Sequence, residues 1–197
     1  MLGSPERRAD RGLPLPLYEE LGDLSGQASA LNNMGIEAYY AGDWTTAVDL
    51  YEGSRKLRER IGDVVSAAIA NNNIGEIFSD QGRLDDAGAV FEAAIQTAEP
   101  AGHRTLAALG HANIGYLEAR AGNLDEAGTI LAEAASEFAE LEMLSFTLEA
   151  NVRRAELAAL KGDSAGALAL ADAVLADAGD AAEMMALQSH VQRVRAA

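Results

Sequence analysis

The residue types that do chemistry are present in this sequence, but their spacing gives them little to do. The three histidines are His103, His111 and His190. The first two stand eight residues apart without the carboxylate arrangement of a zinc-binding helix, so solvated or helix-capping roles suit them better. Glu140 with Glu142, Asp85 with Asp86, and Asp125 with Glu126 are conceivable acid and base pairs. The last two recur beside turns, where carboxylates complement the start of a helix. The two lysines, Lys56 and Lys161, lie outside any phosphate-binding loop, and no nucleophile turn, calcium loop or dinucleotide glycine motif occurs. Cysteine is absent, which removes disulfides, thiolate metal sites and a cysteine nucleophile. The expectation is a chain with no catalytic residue, no metal and no cofactor.

Asparagine offers a different chemistry. Asn33, Asn73 and Asn113 recur at intervals of 40 residues. An amide both donates and accepts, so a ladder of amides can hold the backbone of an extended peptide without reading its sequence. One or two helical turns further on, Glu37, Tyr40, Glu76, Asp80, Tyr116 and Arg120 are placed to add side-chain selectivity. A mostly acidic and aromatic lining favours a partner with a basic segment. The competing reading is structural: asparagines in repeats cap or bridge helices, and tyrosines at helical spacing are commonly half-buried packing residues. The corresponding position of the next copy is Arg153, where the ladder is expected to end.

These residues are positioned by a repeat. Gly42, Gly82, Gly122 and Gly162 keep a 40-residue interval, as do Ala47, Ala87, Ala127 and Ala167. Gly35, Gly75 and Gly115 keep it too, with Ala155 in the fourth copy, and Leu50, Val90, Ile130 and Leu170 form another register. Within the second copy Ala67, Ala70, Ile74, Ile77 and Phe78 make one helical face, and after the turn Gln81–Leu84 a second face follows in Ala87, Phe91, Ala94 and Ala98. Each copy is therefore a helical hairpin, with helices expected near 25–41 and 44–60, 64–81 and 84–99, 103–121 and 124–141, and 145–161 and 164–177. The first-helix glycines read as points of close helix approach, and Trp44 as a packing residue between repeats. The fold class is all-α, a right-handed α-solenoid of antiparallel hairpins. Its repeats fall near 25–63, 64–102, 103–142 and 145–178, and a capping helix at 181–195 carries a stripe of Met184, Leu187, Val191 and Val194.

Residues 1–16, with Pro5, Pro14 and Pro16, read as a poorly ordered lead-in to a repeat domain over 17–197. Glu19–Asp23 aligns with Glu59–Asp63 at the repeat offset, like the tail of a preceding repeat, which suggests a piece of a longer protein and a route to self-association through an unfinished first repeat. The net charge of −16, from 31 acidic and 15 basic residues, argues against nucleic acid or an anionic membrane as partner. Apolar runs are too short to span a bilayer, and the expected location is cytoplasmic.

The pattern Ala30-Leu31-Asn32-Asn33-Met34-Gly35, then Gly42-Asp43-Trp44, then Ala47 resembles the tetratricopeptide consensus over roughly residues 17–178. The 40-residue unit is longer than the usual ~34. In that it looks like the repeats of kinesin light chains and of bacterial signal-transduction ATPase regulators. The wording Leu21-Gly22-Asp23 and Ile36-Glu37-Ala38-Tyr39-Tyr40 is similar to the C-terminal repeats of actinobacterial class III nucleotidyl cyclases and related ATPase regulators. The resemblance implies a regulatory or interaction module, with asparagine at positions 33, 73 and 113 holding peptide backbone. The functions this leaves open are a peptide-binding scaffold in bacterial signalling, a sensor of a small molecule or signalling peptide, and a self-assembly module.

Overall fold

The computed structural model describes residues 15–178, which are helical throughout apart from their turns. In chain order the helices are α1 (Leu15–Glu20), α2 (Leu24–Tyr40), α3 (Trp44–Arg60), α4 (Val64–Asp80), α5 (Leu84–Ala98), α6 (Arg104–Ala121), α7 (Leu124–Glu140), α8 (Leu144–Leu160) and α9 (Ser164–Ala178). The eight from α2 onward lie within one residue of the expected spans at nearly every end. Leu15 and Pro16, expected in the irregular lead-in, instead open α1, where proline in the first turn removes only an N–H that has no helical partner. The rest of that lead-in and the expected helix at 181–195 lie outside the described residues.

The chain forms two compact units that divide between Thr97 and Ala98. In the first, α1 packs on α2, α2 on α3 and α3 on α4; in the second, α6 packs on α7, α7 on α8 and α8 on α9. Consecutive helices are joined by tight turns, and the turns share one design. A residue with positive φ closes the helix, and the next residue's N–H reaches back to a carbonyl in the last helical turn: Asp43 to Ala38 at 3.0 Å, Asp63 to Arg58, Asn123 to Glu118 and Asp163 to Ala158 at 2.9 Å. Glycine fills the positive-φ position at 22, 42, 62, 82, 102, 122 and 162. The turn register is thus half the repeat length, one turn for every helix. Position 142 belongs to the same series but holds glutamate, at φ 57°.

The residue after each turn glycine then starts the following helix. Asp23, Asp43, Asp63 and Asp163 accept from the backbone N–H three residues on, at 2.9, 3.2, 3.1 and 2.9 Å. His103 takes this role for α6 with its ring Nδ1, 3.3 Å from the Leu106 N–H, as a capping histidine should. Asp85 and Asp86 in α5, and Asp125 and Glu126 in α7, occupy first turns as the sequence implied.

The core is a series of small clusters rather than one mass. In the first unit Ala47, Tyr51, Ile74 and Ile77 are buried together, with Trp44, Tyr39 and Phe78 packed against them, so Trp44 is a packing residue between α3 and α4. In the second, Ala108, Ala112, Ala134, Ala135, Phe138 and Ala150 cluster, and Phe146 stacks on Phe138 at 5.3 Å between ring centres. Next to these lie the cluster of Ala127, Leu131 and Leu157 and that of Leu148, Val152, Ala171 and Val174.

The buried first-helix glycines sit under large side chains. A Cβ on Gly75 would lie 2.5 Å from Cε1 of Phe91, one on Gly35 2.7 Å from Cε1 of Tyr51, and one on Gly115 3.0 Å from Cγ of Leu131. Gly75→Ala is expected to cost about 1–3 kcal/mol by overpacking against Phe91; chemical denaturation measures it, and an unchanged midpoint would remove glycine from its assigned role. Glu142→Gly should act in the opposite direction. Relief of a left-handed backbone, less the greater entropy of unfolded glycine, gives a gain of about 0.5–1 kcal/mol, visible as a higher melting temperature.

Candidate functional site

The asparagine face of the first unit is built by α2 and α4. Asn33 lies on the exposed side of α2, and its amide has no partner among the described residues. Asn73 is half-buried on α4 and donates from Nδ2 to Oδ1 of Asn32 at 3.4 Å. The structure therefore gives the two asparagines different work: one is available, while the other bridges helices. Around them a cleft of about 190 Å³ is lined by Ser29, Asn32, Asn33, Ser54, Arg58, Ser66 and Ile69. Ser54 turns its hydroxyl away to the Ala28 carbonyl at 2.8 Å.

Arg58 organises one wall of this cleft and was not anticipated from sequence. Its guanidinium donates to Oδ2 of Asp63 at 3.0 Å, to Oγ of Ser29 at 2.6 Å and to Oγ of Ser25 at 3.3 Å. The signal was present in Ser25 and Ser29, one helical turn apart on α2, but a serine pair is too common to single out. Asp63 pays a desolvation cost that raises its pKa, yet hydrogen bonds from Ser66 and the adjacent Arg58 charge outweigh it and leave the carboxyl below its ordinary value.

Towards the C-terminal ends of the same helices, Glu37 and Tyr40 on α2 are exposed, Tyr40 to 82%. On α4, Glu76 accepts from Nδ2 of the buried Asn72 at 3.0 Å. Asp80 accepts the Tyr39 hydroxyl at 2.7 Å, a second bond between α2 and α4. Burial, and then that bond to Asp80, push the Tyr39 phenol well above its usual range. Tyr51, beneath Gly35, is raised to about 12 by burial and next by the negative charge of Glu76. Asn33, Glu37, Tyr40 and Asp80 are thus the exposed members of the expected set in this unit, and Asn73, Glu76 and Asp80 are bonded to neighbouring side chains.

In the second unit Asn113 is only 7% exposed. It borders a cleft of about 20 Å³, room for roughly one water molecule, together with Phe146, Glu149 and Arg153. Arg153 lies over the Tyr116 ring at 4.4 Å, and Arg120 stands 5.8 Å from the same ring centre. Nη2 of Arg153 donates to Glu149 at 2.8 Å, while its buried Nη1 has no hydrogen-bond partner among the described residues. The arginine at which the ladder is expected to end packs on Tyr116, a member of the expected site. Among the described residues no group of three or more histidines and carboxylates could hold a metal ion, and no helix is long and apolar enough to cross a membrane.

This geometry can be set beside known proteins. Residues 26–99 match the tetratricopeptide repeat family model. That match takes in α2 to α5, the two hairpins that build the asparagine face. Solved structures extend the likeness in fold. RapI in its apo form superposes with a TM-score of 0.71 at 18% identity, covering 83% of this chain and 60% of its own. Aspartyl phosphate phosphatase F from Bacillus subtilis gives 0.77 at 17% identity, covering 88% and 45%. BtubC (BKLC) from P. vanneervenii gives 0.69 at 15% identity over 98% of this chain and 92% of its own. The chain accordingly spans about half to three-fifths of the first two proteins. No curated protein matches the sequence. The fold is tetratricopeptide-like, an architecture typical of protein-interaction scaffolds.

The Arg58–Asp63–Ser66 corner yields a pH test. A carboxyl whose folded pKa is lowered contributes stability that is complete above the unfolded value, near 3.9, and is lost as pH falls through the lower folded value. Asp63→Ala should cost about 1–2 kcal/mol at neutral pH by removing the α4 cap and its arginine contact. Melting curves of wild type and variant should converge as the pH drops below about 4; a gap independent of pH would exclude the ionised carboxylate as its source.

Proposed function

We propose that the chain is a non-catalytic scaffold that binds a partner protein through an extended, basic segment laid along α2 and α4, the first helices of the hairpins in its first unit. The observation that carries this reading is Asn33, exposed and unbonded beside an open polar cleft between α2 and α4. An amide so placed can donate to and accept from the backbone of a peptide, as a strand edge would. Glu37 and Tyr40 follow on the same helix, with Glu76 and Asp80 across from them on α4, so the flanking side chains favour lysine or arginine. Asn73 contributes by fixing Asn32 and by its own remaining amide hydrogen. In the second unit Asn113, Tyr116 and Arg120 hold the corresponding positions, and there the two arginines near Tyr116 favour an acceptor group.

A regulatory role in bacterial cytoplasmic signalling extends this reading. It is supported by the resemblance of the repeat wording to nucleotidyl cyclase and ATPase regulators, and by the fold likeness to an aspartyl phosphate phosphatase. The open form of the first-unit cleft favours a peptide over an enclosed small molecule.

The test starts from proteins retained from bacterial lysate by the wild-type chain, whose bound segment is then synthesised and titrated calorimetrically. The paired substitution Asn33→Ala and Asn73→Ala should weaken that titration by about 10- to 100-fold, the equivalent of one or two hydrogen bonds, while leaving helicity intact. Equal affinity, or no difference in what the two proteins retain, would make the asparagines structural and redirect attention to self-association, which light scattering reads.

A further inference from the structure

The third hairpin departs from the plan that the other three follow. Arg104 stands where they have Leu24, Val64 and Leu144; His111 where they have Leu31, Asn71 and Asn151; and Glu133 where they have Gly53, Ala93 and Ala173. Three positions that are uncharged in every other copy thus carry ionisable groups in this one.

Those groups meet at one place. A cleft of about 440 Å³ runs between α6 and α7, within the size range of ligand sites. Its floor is apolar, made by Ala107, Ala108, Ile114, Ile130 and Ala134, and its rim is formed by Glu99, His103, Arg104, His111, Glu133 and Glu137. Half of the rim is already engaged. Arg104 donates from Nε to Glu137 at 2.6 Å and from Nη2 to Glu140 at 2.8 Å. His103 caps α6. Nε2 of His111 is 3.8 Å from Oε1 of Glu99, beyond hydrogen-bond length. Glu133 is exposed and without a partner among the described residues. What remains is an apolar trough with two carboxylates: Glu133, unpartnered among the described residues, and Glu99, which has the His111 ring at 3.8 Å but no hydrogen bond to it.

We propose that this cleft receives a lysine or arginine side chain of a partner protein, its methylene stem on the alanine and isoleucine floor and its cationic head against Glu99 and Glu133. The shape of the chemistry selects this occupant. A long basic side chain has an apolar stem and a charged tip, which matches a floor and rim of those two characters. An acidic side chain would meet two unneutralised carboxylates, and an apolar one would leave them desolvated. The chain's net charge of −16 steers basic proteins towards it. The site uses only α6, α7 and the residues just before α6, so it stands apart from the α2–α4 face.

Amide chemical shifts of the isotopically labelled full chain test the proposal with a defined probe, the blocked pentapeptide Ala-Lys-Leu-Lys-Ala. Shifts in residues 99–114 and 130–137 are expected, at least tenfold weaker affinity at this cleft for Glu99→Gln with Glu133→Gln, and no response there to the Ala-Glu-Leu-Glu-Ala counterpart. Both substitutions lie on exposed rim positions, and a circular dichroism melt confirms the variant's fold. Undiminished binding to this cleft by that variant, equal binding of the acidic peptide there, or no shifts among the cleft residues would overturn the proposal. Binding of butylamine as tight as that of the lysine peptide would overturn it as well, by assigning the cleft to free amines. The asparagine reading concerns other residues, and it is judged by shifts in α2 and α4 and not by these outcomes.

Discussion

How closely the two helices of a hairpin approach decides most of what this chain can be. The contact is a matched pair, one residue on each helix, and its members trade size. Gly35 faces Tyr51, Gly75 faces Phe91 and Gly115 faces Leu131, each large side chain occupying the space a Cβ would need. At the same registers the fourth hairpin holds Ala155 and Ala171, both 0% exposed. Small against large in the first three copies gives way to small against small in the fourth. A close-packed interior holds a large side chain at such a contact only where the facing position is small. It also explains how a chain with few aromatic residues builds a core: alanine lets the backbones come near, and a single large side chain in each of the first three hairpins fills what is left.

The helices were legible in the sequence because their boundaries carry chemical marks. A glycine where φ must be positive, followed by a side chain able to cap, is a signal that depends on no neighbour in space. Reading only the 40-residue register concealed that the turns recur twice as often. Glu142 was illegible for the same reason, since nothing in glutamate itself announces a left-handed backbone; only its place in the glycine series does. The candidate site was less legible than the fold. Repeat position placed Asn33, Asn73 and Asn113 together in register, yet one is exposed, one half-buried and one 7% exposed. Burial depends on what the adjacent helix brings: Asn113 lies beside Phe146, Glu149 and Arg153, whereas Asn33 borders a cleft walled by small polar residues. A register cannot encode that difference, because the deciding residues lie in the neighbouring copy.

The bonds between α2 and α4 show the same tension between holding the fold and binding something. Asn32 with Asn73, and Tyr39 with Asp80, tie the two helices at separate levels along their length. Each of these bonds engages a residue of the expected recognition set and lowers its capacity to meet a ligand. Immobilisation has a return, because a polar group held by one bond keeps its remaining lone pairs and protons in a fixed direction. Asn73 and Asp80 are thus suited to orienting a face, and Asn33, Glu37 and Tyr40 to touching what lies on it.

Division of labour by position also accounts for how one copy can acquire chemistry the others lack. The paired contact, the turn glycine and the buried alanines leave little freedom, since each is fixed by sterics or backbone conformation. Positions 104, 111 and 133 are under neither constraint: all three are exposed, and their counterparts range over leucine, valine, asparagine, glycine and alanine. Charge placed there costs little, because both helices keep their close contact through Gly115 and Leu131. The ion pairs from Arg104 to Glu137 and Glu140 then cross between α6 and α7 at the solvent edge, where exposed pairs add little to stability. Their effect is instead to spend the local positive charge inside the hairpin, which leaves Glu99 and Glu133 as the carboxylates that face outward over an apolar floor.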